Sequence, residues 1–316
     1  MKYKGKTFIL AIISVVLILG YLFYNLGANW GYILPRRGMK LLAIVLTGGA
    51  IALSTTIFQT ITNNRILTPS VLGLDSLYLL IQTLIIFLFG SVIFVDLNPN
   101  VNFILSVFIM VFFTKILFTI LFKREGQNIY FLLLLGLIFG TLFSSFTSFM
   151  EVVIDPNEFQ LVQDRMFASF NNVKTDLLWI AVIGILATVL YFLKFLKYLD
   201  VLALGRDQAI ELGVDYDYVV KRLLIIVAIL ISIATALVGP ITFLGLLVVN
   251  ISYEFLKTYR HSYLILGSIF LSIIALVGGQ FIVERVFAFS TTISVIINFI
   301  GGIYFIYLLL KENKSW

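Results

Sequence analysis

The sequence contains no cysteine and a single histidine, His261. Without cysteine the chain can form no disulfide bond, has no thiolate nucleophile and offers no Cys-based metal site. Zinc and non-haem iron sites usually need two or more imidazole or thiolate ligands, which this composition does not supply. We therefore expect neither a protein-held metal nor a cofactor.

Charged residues are also scarce, at 12% of the 316 residues against about 25% in ordinary soluble domains. Hydrophobic residues make up 61%, and the mean hydropathy is +1.08. A soluble domain of this size cannot bury so much apolar surface, so the composition excludes a soluble enzyme, a disordered tail and a secreted disulfide scaffold. It predicts an all-α polytopic membrane protein whose side chains largely face a lipid bilayer.

The net charge of +6 comes from cations scattered between apolar runs, with no basic stripe that alternates with aromatic residues. A nucleic-acid-binding surface requires such a stripe, so we expect no nucleic-acid partner. The cations are instead interpreted as topology signals at the ends of membrane spans.

Motifs for catalysis or nucleotide binding are missing: there is no G-x-x-x-x-G-K-[ST], no H-E-x-x-H and no G-x-S-x-G. We therefore expect a non-catalytic chain. Ion-coupled carriers usually keep an ionisable side chain deep in the membrane. Here Asp75 and Glu254 fall near span ends, and Lys115 is interpreted as reaching the membrane interface. The energy for transport should then come from a partner, with a secondary carrier or channel acting without an ATPase as the alternative.

A helix needs about 20 mostly apolar residues to cross a bilayer. Apolar segments of this length occur about ten times in the sequence and predict about ten transmembrane helices. Because no long polar segment interrupts them, we predict a single transmembrane domain over residues 1–316. The third and eighth spans are the weakest, because the third contains Asp75 and Gln82 and the eighth is short and contains Asn250. The ten candidates are 7–26, 39–61, 74–95, 101–122, 129–150, 177–199, 223–238, 241–255, 262–283 and 293–310.

Lysine and arginine accumulate on one side of this predicted topology. With the N-terminus inside, the inner segments hold 15 of them and the outer segments six. The positive-inside tendency then places both termini in the cytoplasm. The six outer cations are Arg36, Arg37, Lys40, Arg165, Lys174 and Arg285.

The outer motif Leu34-Pro35-Arg36-Arg37 stands just before the second span. Its paired arginines have two interpretations, namely anchoring to lipid phosphate or docking of an acidic partner through forked bonds to carboxylates. Arg285, in the last outer segment, adds a third cation to the same predicted patch.

The second span carries small residues at helical spacing, Gly48, Ala52 and Thr56, which favours close helix packing. Gln59 follows near the end of the span, where a buried amide needs hydrogen-bond partners or a water-filled path. The next stretch, 62–73, is rich in Asn, Pro and Gly and predicts a turn at the inner face.

A third stretch, 204–214, is predicted to lie in the cytoplasm as a short helix between Gly205 and Gly213. Such a helix either lies on the membrane surface or fills a groove on a partner protein. Acidic and basic residues are balanced around it, which disfavours binding to anionic lipid.

Five pieces in chain order carry a family resemblance: Leu34-Pro35-Arg36; 49–59 with Asn63-Asn64-Arg65-Ile66-Leu67-Thr68-Pro69-Ser70-Val71-Leu72-Gly73; Leu204-Gly205 with Ala209 and Leu212-Gly213-Val214; Gly239-Pro240-Ile241-Thr242-Phe243-Leu244-Gly245-Leu246; and Ile300-Gly301-Gly302 with Tyr304-Phe305. Along nearly the whole chain the sequence resembles the FecCD-type permeases, the membrane subunits of bacterial ABC importers for iron–siderophores, haem and vitamin B12.

This resemblance implies a type II importer-like permease with ten helices per subunit, in the bacterial cytoplasmic membrane. It implies a dimer of permeases around a central path, two ATP-binding subunits on the cytoplasmic face and an extracytoplasmic substrate-binding protein. The chain would then be a transport subunit for an iron–siderophore complex, with ATP hydrolysis on its partners.

The resemblance also assigns roles to individual residues. Acidic residues of the binding protein would meet Arg36, Arg37 and Arg285. The stretch 205–213 would be the coupling helix that enters an ATPase groove, with Gly205, Arg206, Ala209, Glu211, Leu212 and Gly213 as its residues. The translocation path is expected to include Gln59, Asn63 and Asn250.

Three departures from the family pattern bear on the partner. Arg65 stands where the family often has proline after asparagine, Val249-Asn250 where it often has Pro-His, and Thr292 near the place of a usual proline. These changes are similar to a subgroup that pairs with a different second permease for catecholate or related siderophores. They favour a heterodimer over a homodimer.

Overall fold

The computed structural model describes residues 2–25, 29–96, 98–121, 129–171 and 173–312. Within these ranges the chain forms α-helices joined by turns and one short 3-10 helix, Pro69–Leu72, with no strand. The predicted ends of the first and fourth spans, Leu26 and Phe122, lie outside the described residues. The helices are α1 Lys2–Phe23, α2 Trp30–Thr62, α3 Leu74–Asp96, α4 Pro99–Leu121, α5 Ile129–Val153, α6 Pro156–Met166, α7 Thr175–Phe192, α8 Leu196–Leu202, α9 Arg206–Glu211, α10 Tyr216–Val238, α11 Leu244–Leu256, α12 His261–Arg285 and α13 Ile293–Glu312.

Among the described residues, eight helices are long and apolar enough to cross a membrane, and the prediction of an all-α, multi-pass membrane protein is confirmed. Two shorter apolar helices, Leu74–Gly90 and Leu244–Leu256, account for the two spans that the sequence marked as weakest. In α3 the backbone of Gly90 has φ 74° and ψ 169°, which interrupts the helix there.

The structure differs from the predicted spans around α6, α7 and α8. The predicted sixth span, 177–199, is two helices, because α7 ends at Phe192 and α8 begins at Leu196. No glycine or proline marks this break, so an apolar count runs through it. The loop before α7 contains α6, which begins at Pro156 behind Asp155, whose carboxylate accepts the backbone N–H of Asn157 at 2.9 Å.

Helix α2 lies at the centre of the bundle and packs against α10, α11 and α12. Its small residues allow close approach: a Cβ on Gly48 would lie 2.9 Å from both Leu276 Cδ1 and Ser272 Oγ of α12. Ala52 and Thr56, the other two small residues of the predicted stripe, are buried. Close packing of small residues is a main source of helix association in membranes, where lipid removes the hydrophobic driving force.

After α2 the chain turns back toward the middle of α5. The turn begins at Asn63, which ends α2 in a left-handed conformation, and it reaches Gly73, whose φ is +76°. A Cβ on Gly73 would lie 2.9 Å from Cα and N of Gly140, near the middle of α5. Helix α3 begins directly after this turn, and its regular apolar part ends at the Gly90 interruption.

Candidate functional site

The predicted site residues lie at opposite ends of the bundle. Arg36 is near the start of α2 and Thr60 near its end, about 36 Å apart at about 1.5 Å per residue. Arg285 ends α12, whereas His261 begins it and lies beside Thr60. We call these the arginine end and the loop end, the latter including α8, α9 and the turns around them.

At the arginine end, two of the three predicted docking cations are exposed. The guanidinium of Arg36 lies 4.9 Å from the ring centroid of Tyr32, and that of Arg285 lies 5.3 Å from the ring centroid of Tyr24. Stacking on an aromatic ring holds an arginine in place while its side chain stays accessible. Both arginines are therefore accessible at this end of the bundle.

Arg37 has a different role, because its guanidinium is used within the chain. Its Nη1 donates to the carbonyl oxygens of Tyr21, Leu22 and Tyr24 at 3.1, 3.0 and 2.7 Å. Tyr21 and Leu22 lie in the last turn of α1, whose carbonyls have no partner inside the helix, and Tyr24 follows directly after it. Arg37 thus caps α1 against α2 and is only partly accessible.

Beside Arg285, the carboxylate of Glu284 points inward and joins three helices. Its Oε1 accepts hydrogen bonds from Tyr21 Oη of α1 at 2.6 Å, Lys40 Nζ of α2 at 2.6 Å and Gln280 Nε2 of α12 at 2.8 Å. Lys40 and Gln280 also donate to the side-chain oxygen of Asn171. The side chains of Lys40 and Glu284 are 18% and 12% exposed.

We expect Lys40→Met to destabilise the folded protein by about 2 kcal/mol, because it removes the cation that is bonded to the largely buried carboxylate of Glu284. The measurement is the melting temperature of the purified protein in detergent. The double variant Lys40→Met with Glu284→Gln removes both charges and should recover part of the loss. A melting temperature equal to that of the unchanged chain in the single variant would contradict this role.

At the loop end, α9 and the residue that follows it carry one buried and two exposed apolar side chains. Ala209 is fully buried against the neighbouring helices, whereas Ile210 and Leu212 are 46% and 62% exposed. Glycines with positive φ, Gly205 at +105° and Gly213 at +81°, stand on either side of the helix.

The charges of this loop are solvent-facing. Arg206 lies 3.9 Å from Asp217 at the start of α10 and 5.7 Å from the ring centroid of Tyr216, and Glu211 is exposed. Together with the exposed Ile210 and Leu212, they form a small projecting surface with an apolar centre. An exposed apolar surface of this kind can pack in a groove of another protein.

The three predicted path residues all lie near the turn at the loop end. Gln59 Nε2 and Asn250 Nδ2 donate to the same backbone oxygen, that of Arg65, at 2.6 and 2.8 Å. Both amides are buried, while Asn63 is exposed at the end of α2. The structure thus brings Gln59 and Asn250 together as a clamp on the turn.

The sequence profile of the FecCD transport family matches residues 7–311. The chain belongs to the FecCD transport family. It is therefore a permease of the multi-pass membrane type, as the resemblance in the sequence predicted.

Three individual relatives show which permeases the chain is similar to. This FecCD permease is 68% identical over 316 residues to the petrobactin import system permease protein YclO of Bacillus subtilis, covering all of both chains. It is 37% identical to FatC of Bacillus anthracis over 89% of this chain and 79% of that one. It is 27% identical to FatD of the same organism over 99% and 93%. The names of FatC and FatD likewise describe petrobactin import permeases.

A solved structure shares the fold. A protein described as a metal-chelate type ABC transporter, in an inward-facing conformation, superposes with a TM-score of 0.85. The two chains are 21% identical, and the match covers 98% of this FecCD permease and 99% of that chain. The fold predicted from the sequence is confirmed.

Two features of this FecCD permease were not predicted from the sequence. Asp75 was interpreted as lying near a span end, but this residue at the start of α3 is packed inside the bundle. The hydroxyls of Thr235 and Thr242 lie 3.5 and 3.4 Å from its carboxylate oxygens. On α5, hydroxyl side chains recur along one exposed face at Thr141, Ser145 and Ser148. Their spacing of three to four residues in an apolar span was a detectable signal for a polar face.

A polar cavity of about 360 Å³ lies at the arginine end, between α3, α4, α6, α7 and α10. Its wall includes Gln82, Asn102 and Ser106, which hydrogen-bond with one another at 2.9 to 3.3 Å. These three side chains therefore satisfy one another's hydrogen bonds. Within the described residues, no group of three or more His, Asp or Glu side chains could hold a metal ion.

Proposed function

We propose that this chain is a permease subunit of an ATP-driven importer for an iron–siderophore of the petrobactin type. The observation that carries the proposal is the 68% identity to a petrobactin import permease along the whole chain. The absence of catalytic and P-loop motifs from the sequence supports it, because such a permease takes its energy from ATP-binding subunits.

In this proposal the whole chain is one transmembrane domain with both termini in the cytoplasm. The arginine end then faces outward and the loop end faces the cytoplasm. A loaded binding protein docks by its carboxylates on Arg36 and Arg285, with Arg37 supporting the patch through its cap on α1. The ATP-binding subunit receives α9 and its neighbours Gly205 and Gly213 in a groove.

The partner permease is a different chain rather than a second copy. Two distinct Bacillus anthracis permeases, FatC and FatD, carry the same petrobactin import description, and this chain resembles both. The hydroxyl face of α5 lies along the path between the two permeases. The clamp of Gln59 and Asn250 on the turn, with Asn63 beside it, forms the cytoplasmic end of that path.

The iron crosses inside its chelator, so the permease needs no metal ligands of its own. Small hydroxyl side chains suit a bulky polar cargo, because many weak contacts let it enter and leave without a tight site. Selectivity among chelates then belongs mainly to the binding protein.

Reconstitution tests the function. Proteoliposomes containing this chain, its partner permease and their ATPase should import ferric petrobactin only with the loaded binding protein and with ATP on the ATPase side. Ferric hydroxamate serves as the control cargo. Import by this chain alone without ATP would show a secondary carrier or channel and would overturn the proposal.

The docking patch has its own test. We expect Arg36→Glu and Arg285→Glu each to weaken binding of the binding protein by about tenfold and to change its salt dependence, because a charge at an interface rim is reversed. Binding to the reconstituted complex is measured at low and high salt. Lys194→Glu, the same charge change at the loop end, is the matched control. Equal affinity in all three variants would exclude the arginines as docking residues.

A further inference from the structure

The only histidine of the chain joins three helices at the loop end. Its ring is buried, and Nδ1 lies 2.7 Å from Oδ1 of Asp200 on α8. The backbone N–H of His261 donates to the same Asp200 oxygen at 2.8 Å. On the other side of the ring, Nε2 lies 2.9 Å from Oγ1 of Thr60 on α2.

Asp200 is the most exposed residue of this group and lies on α8, next to α9 at the loop end. Its side chain is 48% exposed, and α8 packs against α9 as well as against α2 and α12. Ala203 and Leu204 follow α8 directly and lead to Gly205 at the start of α9. A displacement of α9 therefore reaches Asp200 through a turn of only three residues.

Thr60 is the inner member, and it lies where α2 meets the clamped turn. Its hydroxyl is 2.8 Å from the carbonyl oxygen of Thr56 and interacts with the Tyr253 side chain of α11. The guanidinium of Arg65 lies 4.6 Å from the ring centroid of Tyr253, and the backbone oxygen of Arg65 accepts from Gln59 and Asn250. A change at Thr60 thus reaches α2, α11 and the turn together.

We infer that Asp200, His261 and Thr60 form a relay that transmits movement of the α9 loop to α2 and α12 during import. His261 is a positioning residue, because it touches neither the cargo nor the nucleotide and acts through the helices that it joins. Two bonds from Asp200, to the ring and to the backbone of one residue, fix the start of α12 to α8. The buried ring then passes any shift of α8 to the end of α2 without intervening water. This inference rests on the proposed function.

The experiment measures ATP hydrolysed per chelate imported in the complete reconstituted transporter. We expect Asp200→Ala to raise this ratio by at least about fivefold, the lower range of coupling between linked sites, while stimulated ATP hydrolysis is retained. Because Asp200 is half-exposed, the variant should insert and assemble normally. An unchanged ratio, or uptake and hydrolysis that fall together in proportion, would overturn the relay.

Two histidine variants separate the halves of the relay. Asn at position 261 can replace the Nδ1 contact to Asp200, and Gln can replace the Nε2 contact to Thr60. We expect His261→Asn and His261→Gln both to uncouple hydrolysis from import, since each keeps only one of the two ring contacts. Adding Asp200→Ala to His261→Gln should raise the ratio by less than Asp200→Ala does alone, because the ring contact to Asp200 is already lost and only the backbone N–H bond remains to be removed. Additive effects would contradict the relay.

A matched ion pair at the same end provides the control. Lys311 and Glu254 are 2.6 Å apart and connect α13 to α11 without touching α8 or α9. Lys311→Gln should leave the ratio of hydrolysis to import unchanged, and an equal rise in that variant would overturn the specific role of His261. Failure of the unchanged complex to import with ATP would instead refute the proposed function and is thereby distinguishable.

Discussion

Leu212→Asp is expected to abolish chelate import and the stimulation of ATP hydrolysis by the loaded binding protein, while the permease still folds and inserts. Leu212 is 62% exposed on the projecting surface of the α9 loop, so the fold does not depend on it. A carboxylate placed in an apolar groove would lose its hydration without gaining a partner. The measurements are uptake, stimulated ATPase activity and co-purification of the ATPase.

Two further variants give this experiment its contrast. Ala209 is fully buried, so Ala209→Asp should damage the loop itself and lower the yield of folded permease. Tyr259 is 78% exposed in the turn between α11 and α12 at the same end, and Tyr259→Asp should leave uptake unchanged. Normal stimulated hydrolysis in Leu212→Asp complexes would remove α9 from the coupling interface.

Gly73→Val is expected to prevent folding of the permease. The backbone at Gly73 has φ +76°, which costs other residues about 1–3 kcal/mol. Its Cβ would lie 2.9 Å from the Gly140 backbone of α5, which cannot move aside as a flexible side chain could. Strain and overpacking of about 1–3 kcal/mol therefore act together.

The test is the amount of monodisperse protein extracted from membranes and its melting temperature. Gly20→Ala is the control, because a Cβ on Gly20 in α1 meets no atom within 4 Å and its backbone is helical. That variant should keep or slightly raise the stability, as alanine is the better helix former. A Gly73→Val protein with the yield and stability of the control would show that α5 tolerates a side chain there.

Eight of the ten predicted spans match described helices that are long and apolar enough to cross a membrane, because membrane thickness sets the length of an apolar helix. Local signals were also sufficient for α6, where Asp155 and Pro156 form a common helix start, although the pattern was not recognised. The break between α7 and α8 has no local signal, since leucine, lysine and phenylalanine continue through it. There the tertiary packing of α8 decides the chain direction.

The site was harder to predict because its contacts join residues far apart in sequence. As the single histidine, His261 indicated only that the chain has too few ligands for a metal site. Its partners Asp200 and Thr60 are 61 and 201 residues away in the sequence, so the sequence did not indicate their contacts. Arg37 resembled a docking residue by its charge, and only the three carbonyl oxygens around it reveal the helix cap. Contacts of this kind depend on the three-dimensional arrangement and produce no recognisable spacing of residues in the sequence.

The central position of α2 has a consequence for biosynthesis. This helix leaves the ribosome second, yet the helices that cover it, α10 to α12, are made in the last third of the chain. Until they arrive, α2 lacks most of its packing partners, although α1, α7 and α8 already contact it. The permease therefore completes its core at the close of translation, and a nascent chain stalled before α10 presents an unfinished bundle to membrane quality control.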